Sequence, residues 1–146
     1  MRIMALAVLL AGCVGAPTEP QAPPGPGANA YRAAIEANEA PFRIPGNVTA
    51  RLNQEVQIGD VRVKPLAVLE DSRCPIDVTC VWAGRVRLRV AVNGAEQVME
   101  IGQPVTVAGG QQLTLVGVAP LNWARPPAGV DPQAPKRFAF RLSGMD

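Results

Sequence analysis

The chain has 146 residues, of which 48% are hydrophobic, and its 15 prolines and 14 glycines predict one small domain with many turns. The formal net charge is only +2, and the basic residues are scattered along a chain with few aromatic residues, which excludes the basic surface of a nucleic-acid-binding protein. Histidine is absent, so Ser/His/Asp catalysis, Cys/His catalysis and histidine-ligated zinc are excluded as well.

The first thirteen residues, MRIMALAVLLAGC, have the layout of an export signal. Arg2 supplies a short positive region, an apolar run covers residues 3–10, and small residues precede Cys13. The apolar run is too short to cross about 30 Å of hydrocarbon as a helix, which argues against a permanent transmembrane span. We therefore predict a signal peptide over residues 1–12.

The LAGC sequence that ends at Cys13 resembles the lipobox of bacterial lipoproteins. In that family the signal is cut before the cysteine, which is thioether-linked to diacylglycerol and acylated on its amino group. The resemblance implies that Cys13 begins the mature protein and carries palmitate-type acyl chains, and two or three such chains hold a protein stably on a membrane. Val14 follows where an aspartate would favour the inner membrane, which implies the outer membrane, facing the periplasm. An export signal without lipid is the alternative.

The next two segments predict a tether and a short helix. Residues 13–27 form a predicted tether rich in proline and glycine, in which the thirteen residues 15–27 could reach about 40 Å at about 3.1 Å per residue. Residues 28–41, ANAYRAAIEANEAP, contain helix-forming alanines and glutamates and stop at Pro41.

From Phe42 the apolar residues alternate with polar ones, which predicts an all-β domain over residues 42–146. Seven or eight antiparallel strands fit a small β-sandwich or an open barrel. Pro65 interrupts one strand and shifts its apolar parity, so we expect an edge position or a bulge there. The predicted strands are VTARL, EVQIG, VRVKPLAVLE, RVRLRVAV, AEQVMEI, QPVTVA, QLTLVGVA and RFAFRL.

Asn93 and Gly94 form the strongest hairpin signal in the chain. A two-residue turn at these positions fixes the register of the flanking strands, and Arg87 then lies opposite Glu100. Because charges of opposite sign face each other, we interpret the arginines of this hairpin as a solvated sheet face rather than an anion site. The remaining predicted pairs are Val92 with Ala95, Leu88 with Met99, and Val86 with Ile101.

With Cys13 assigned to lipid, Cys74 and Cys80 are the remaining cysteines, and disulfides persist in exported proteins. We predict that they form a disulfide, which closes a short loop and stabilises the fold by roughly 2 kcal/mol. Five intervening residues do not match a CxxC redox pair, and zinc would need further cysteine or histidine ligands.

The strand parity of the hairpin, extended backward, places Cys80, Trp82 and Gly84 on its buried face. We therefore expect a buried disulfide, a Trp82 indole in the core, and a glycine that leaves room for a bulky neighbour. On this interpretation truncation of Trp82 costs about 3 to 5 kcal/mol, whereas truncation of Arg73 or Asp77 in the loop costs within about 0.5 kcal/mol if their side chains are exposed and unpaired.

The whole segment resembles secreted or lipid-anchored bacterial domains that carry DSRCP followed by CxWAG, an amphipathic hairpin, and a strand that ends in a proline-containing loop. The matching residues here are 71–75 and 80–84, and the resemblance covers about residues 56–142. It implies kinship with this group but supplies no activity and no catalytic residues.

Two loops are the candidate binding surfaces. The first is the disulfide loop, with Arg73, Ile76 and Asp77, and the second is the connection APLNWARPPAGVDPQAP at residues 119–135, which is long for a loop without a role. In the second, Trp123 beside Arg125 could stack on a sugar or a peptide, although we favour a Trp123 that plugs one end of the sandwich.

These features predict a lipid-anchored, non-enzymatic envelope domain with a binding or structural role, without a cofactor. Its partners would be the membrane and an envelope protein or glycan. The alternative function is a recognition module, protease-inhibitor-like or carbohydrate-binding, that uses these two loops.

The carboxylates do not indicate an active site or a metal site. Asp60, Glu70, Asp71 and Asp77 have no spacing that identifies a glycosidase-like pair. Calcium at the last three would have fewer than the six oxygen ligands that it usually takes, so we predict no metal.

Overall fold

The computed structural model describes residues 27–144, in which one helix precedes eight strands. Helix α1 spans Ala28–Glu39 and continues into a 3-10 turn at Ala40–Phe42. The predicted signal peptide, Cys13 and the rest of the tether up to residue 26 lie outside the described residues. The strands are β1 (Val48–Arg51), β2 (Val56–Ile58), β3 (Val61–Asp71), β4 (Val86–Val92), β5 (Ala95–Glu100), β6 (Pro104–Thr106), β7 (Gln112–Ala119) and β8 (Arg137–Ser143).

Within residues 27–144 the strands form two antiparallel four-stranded sheets. Sheet I has the order β1-β8-β7-β6, and sheet II has the order β2-β3-β4-β5. Sheet II is made of consecutive strands, whereas sheet I combines the first strand with the last three. The prediction of a small all-β sandwich preceded by a short helix is confirmed.

The core lies between the two sheets and is entirely apolar among the described residues. Phe138 and Phe140 of β8 are its largest fully buried side chains, as the alternation of RFAFRL predicts. Burial of this much apolar surface provides the main stabilisation of the fold. The other large, fully buried side chains are those of Val61, Val63, Pro65, Val86, Leu88, Val90, Met99, Leu113, Leu115 and Val118.

The β4–β5 hairpin has the predicted turn and register. Asn93 and Gly94 both have positive φ, 50° and 87°, as a two-residue hairpin turn of this type requires. The Asn93 side chain also accepts a hydrogen bond from the Arg62 backbone amide at 2.8 Å, which ties the turn to β3. The register includes Val92 opposite Ala95, Leu88 opposite Met99, and Arg87 opposite Glu100.

The arginines of β4 face carboxylates on both neighbouring strands. Arg87 lies in register between Glu70 of β3 and Glu100 of β5. Arg89, at the surface, is 3.8 Å from Glu96. Acidic and basic side chains therefore alternate from strand to strand on the outer face of sheet II, as is typical of a sheet face in contact with water.

Pro65 lies at a bulge, one of the two predicted alternatives. The β3–β4 register shifts between Pro65 and Ala67 and again between Val68 and Glu70. β2 pairs with β3 only at residues 61–63, so the missing amide of Pro65 breaks no hydrogen bond to that neighbour. The shift in apolar parity along this strand is the local effect of the bulge.

Helix α1 covers part of the outer face of sheet I. Asn38 donates a hydrogen bond to the Val118 carbonyl at 2.9 Å, and Glu39 pairs with Arg137 at 2.7 Å. The same Arg137 guanidinium lies 4.8 Å from the ring centre of Phe42, in cation–π contact. Because of this cover, Ala139 is fully buried although its neighbours Phe138 and Phe140 occupy the core face.

Gly117 allows the 3-10 turn to approach β7 closely. A β carbon at this position would lie 2.8 Å from Cβ of Pro41 and 3.3 Å from the ring of Phe42. The 3-10 turn therefore packs against β7 at a position where any side chain larger than that of glycine would clash.

We predict that Gly117→Ala destabilises the fold by about 1 to 3 kcal/mol, because the proline ring has little freedom to move away from the added methyl group. Urea unfolding of the variant and the wild type measures the difference. Thr114→Ala, on the same strand but at a half-exposed position, is the control, and equal stability losses in the two variants would contradict the close contact.

Candidate functional site

The two loops singled out from the sequence meet at one end of the sandwich. The disulfide loop (residues 72–85) joins β3 to β4, and the long connection (residues 119–135) joins β7 to β8. The Ile76 amide donates a hydrogen bond to the Asn122 carbonyl at 3.0 Å. We call this end, formed by the two loops together, the loop end.

The carboxylate of Asp71 lies at the centre of the loop end. It accepts two hydrogen bonds from Arg73, at 2.8 and 2.9 Å, one from Lys136 at 2.6 Å and one from Asn122 at 3.1 Å. The Asp71 side chain is 9% exposed and that of Arg73 15%. These four side chains, the Asp71 cluster, connect the end of β3 with the disulfide loop and the long connection.

The electrostatics of the cluster keep Asp71 ionised. Burial acts to raise its pKa, but the hydrogen bonds and charges of Arg73 and Lys136 outweigh burial and hold the pKa well below its usual range. A carboxylate held this way stays charged near neutral pH, with its oxygens occupied by hydrogen-bond donors from three side chains.

Arg73 also satisfies backbone carbonyls at the end of β7. Its guanidinium donates hydrogen bonds to Val118 at 2.6 Å and to Pro120 at 3.1 Å. β6 pairs with β7 only as far as Thr114, so it does not reach the Val118 carbonyl. This carbonyl also accepts the hydrogen bond from Asn38. One arginine therefore links both sheets and the long connection through its planar fork of donors.

Asp77 holds the second contact between the loops. Its carboxylate accepts hydrogen bonds from the backbone amides of Ala124 and Arg125, both at 2.7 Å. The hydrogen bond from Ala124 is the main reason that the pKa of this exposed carboxyl is lowered. Asp77 thus shapes the long connection, and its oxygens already have partners.

The base of the disulfide loop is closed by Ser72 and Arg85. The Ser72 amide donates to the Arg85 carbonyl at 2.9 Å, and the Arg85 amide donates to the Ser72 hydroxyl at 3.1 Å. Gly84 packs so closely on this pair that a β carbon would overlap the Ser72 carbonyl. The neighbour that requires glycine is therefore backbone, and not the bulky side chain that strand parity predicts.

The Cys74–Cys80 disulfide is present as predicted, but it does not lie in the core. The two Cα atoms are 5.9 Å apart, and a turn between them is closed by the Val78 amide and the Pro75 carbonyl at 3.3 Å. Cys80 is exposed. The prediction of a buried disulfide was wrong.

The prediction that Trp82 packs in the core was also wrong. Its residue is 71% exposed, and the preceding Val81 is 89% exposed. Regular β4 begins only at Val86, so the alternation of faces does not extend through the loop residues before it. Consequently Arg73 and Asp77, expected to be dispensable, hold the loop in place, whereas Trp82 projects into solvent.

Trp123 and Arg125 have different surroundings although they are close in sequence. Trp123 packs at 5.6 Å between ring centres, tilted by 50°, against Tyr31 of α1, so it contacts the helix rather than plugging the sandwich. Arg125 is exposed. Between α1 and the long connection lies an apolar groove of about 500 Å³, whose lining includes Tyr31, Ile35, Trp123, Pro127 and Val130.

The carboxylates at the loop end do not converge on a common point. Glu70 is bound to Arg85 at 2.9 Å, Asp71 belongs to its cluster, and Asp77 binds backbone amides. In the part of the chain that the structure describes, no set of three or more cysteine or carboxylate side chains could hold a metal. The geometry does not support the calcium interpretation.

Sequence reasoning missed Asn122 and Lys136 as partners of Asp71. They lie 51 and 65 residues further along the chain, in a loop and just before β8. The one usable signal was the Asp-x-Arg pair at the end of β3, because two opposite charges at that spacing next to a buried strand need partners.

We predict that Arg73→Ala destabilises the protein by about 1 to 3 kcal/mol, because it removes two hydrogen bonds to the largely buried Asp71 carboxylate and leaves only Lys136 and Asn122 as its partners. Trp82→Ala should stay within about 0.5 kcal/mol of wild type, since it removes an exposed side chain. Urea unfolding measures both, with Arg125→Ala as a control for loss of an exposed arginine at the same end. A larger loss in Trp82→Ala than in Arg73→Ala would contradict this arrangement.

The Asp71 cluster also predicts a dependence of stability on pH. Because the pKa of Asp71 is lower in the folded state than in the unfolded state, its contribution is complete above about pH 4 and is lost as the pH falls further. Asp71→Asn should be less stable than wild type at neutral pH, and the difference should narrow in acid. Urea unfolding over a pH series tests this, and parallel curves for the two proteins would be the contrary result.

Among residues 27–144, no helix combines the length and hydrophobicity needed to span a bilayer.

Comparison of the chain with family models, curated proteins and solved structures finds no match. Similarity to known proteins therefore assigns no function to this chain.

Proposed function

We propose that this chain is a lipid-anchored, non-enzymatic envelope domain that binds a partner through its loop end. The observation that carries the proposal is the pair Val81 and Trp82, which is exposed on a loop fixed at three places. Those places are the Cys74–Cys80 disulfide, the Asp77 contact with the long connection, and the Asp71 cluster.

A fixed apolar tip suits binding because little conformational entropy is lost when a partner covers it. Tryptophan is also among the residues that contribute most to binding interfaces, since it buries a large area with few rotatable bonds. A disulfide and two polar contacts around an exposed tryptophan therefore favour recognition over a purely structural role.

The same geometry supports the non-enzymatic part of the proposal. The carboxylates of Glu70, Asp71 and Asp77 are each occupied by ion pairs or backbone amides. Arg73 is turned inward, so it is not available as the exposed residue with which a protease inhibitor would fill a specificity pocket.

The exposed indole of Trp82 favours a second candidate, carbohydrate recognition. Sugars stack on exposed aromatic faces, and an envelope contains abundant glycans. In this function the partner would be a glycan, and Trp82 rather than Trp123 would supply the platform, because Trp123 is already covered by Tyr31.

The lipid anchor is supported by the sequence LAGC at residues 10–13 and by the proline-rich segment that separates it from the folded domain. We place the mature protein at the outer membrane, facing the periplasm, because Val14 follows the cysteine. Two or three acyl chains at Cys13 would make this attachment stable.

We predict that the full chain, produced in a bacterial host with an alkyne-tagged fatty acid, incorporates the label at Cys13 and sediments with the envelope. Cys13→Ala should lose both properties, because it removes the thiol to which the diacylglycerol is attached. A variant with both Cys74 and Cys80 replaced by alanine controls for acylation at the other cysteines and should keep the label. An unlabelled wild type, or equal labelling of Cys13→Ala, would show that the anchor assignment is wrong.

A further inference from the structure

We infer that the loop end docks on the bilayer to which the chain's own lipid anchor is attached, with Val81 and Trp82 inserted among the lipid headgroups. This inference rests on the proposed function and names its partner. It makes the domain a two-point membrane protein, held by acyl chains at Cys13 and by an apolar tip on the folded domain.

The chemistry of the tip fits the membrane interface. Val78 is 43% exposed, so the disulfide loop presents three apolar side chains to solvent, those of Val78, Val81 and Trp82. Tryptophan concentrates at the boundary between headgroups and hydrocarbon, where its ring is partly apolar and its N–H can still form hydrogen bonds.

The position of the tether selects the bilayer over other partners. Helix α1 contacts the end of β7 through Asn38, near its C-terminal end, whereas Tyr31, in its first turn, reaches Trp123 in the long connection. The first turn of the helix therefore lies against the long connection of the loop end. The segment that links the domain to Cys13 joins it at Gly27, four residues before Tyr31.

The length of this segment allows contact with the membrane. Thirteen residues separate Cys13 from Gly27, a span of about 40 Å in the polyproline II form. A tether of this length keeps the loop end at a high effective concentration near the bilayer, so even weak insertion becomes favourable.

The exposed charges around the loop end are of both signs. Arg32 and Arg125 are exposed there, and so are Glu36 and Asp131. A mixed surface does not concentrate anionic lipids as a basic cluster does, so the contact depends on apolar insertion and should persist at high salt.

The test uses the chain from Cys13 onward, with the Cys13 thiol coupled to a maleimide lipid in vesicles of phosphatidylethanolamine, phosphatidylglycerol and brominated phosphatidylcholine. This chain contains every helix and strand that the structure describes, because the first of them begins at Ala28. Chemical coupling supplies the anchor whether or not cells acylate Cys13, so a failure of docking is distinguishable from a failure of the anchor assignment.

The readout is the fluorescence of one tryptophan at a time, since the chain has two. With Trp123→Phe, the emission of Trp82 should shift to the blue and be quenched by the brominated lipid, at low and high salt alike. With Trp82→Phe, Trp123 should be quenched much less, because it is half-buried and packs against Tyr31.

Val81→Ser should reduce the quenching of Trp82, whereas Val98→Ser, which alters an exposed valine on β5, should not. Emission from Trp82 that stays red-shifted and unquenched on the coupled vesicles overturns the inference. So does an equal effect of Val81→Ser and Val98→Ser, or quenching that disappears at high salt. If the emission of Trp82 does not respond to the lipid vesicles but is quenched or shifted by a soluble glycan, the inference is wrong and the loop end binds carbohydrate instead.

Discussion

The largely buried carboxylate of Asp71 holds the loop end together. Removing the charge of Asp71 from water costs several kcal/mol, and the fold offsets this with the guanidinium of Arg73, the ammonium of Lys136 and the amide of Asn122. These partners come from three separate parts of the chain, so the ion can be satisfied only when both loops are in place. The disulfide by itself closes a loop of seven residues. The contacts of Asp71 fix the orientation of that loop on the sandwich.

The parts of the fold that follow from short stretches of sequence were predictable. The period-two alternation located each strand, and Asn93-Gly94 set the hairpin register because the turn geometry leaves no freedom. The disulfide followed from counting thiols rather than from geometry. These features have in common that the interacting residues are near in sequence or that few pairings are available.

The parts of the loop end that depend on distant residues were not predictable. Nothing in the alternation of the chain indicates that Asp71 meets Lys136, since the contact depends on how two sheets and two loops pack. The error at Trp82 has a different origin. Strand parity was extended beyond Ser72 and Arg85, where the paired backbone ends, and side chains have no alternating faces once the ladder stops.

The strand order of the two sheets has a consequence for the order of folding. Sheet II is built from consecutive strands, so its pairings can form as soon as residues 56–100 are available, whereas β8 lies between β1 and β7 in sheet I. Loop-closure entropy disfavours such a long-range pairing relative to the local hairpins. Without β8, sheet I lacks the strand that joins β1 to β7 and that carries Phe138 and Phe140 into the core. A chain that is synthesised from its N-terminal end can therefore complete this core only after residues 137–143 have been made.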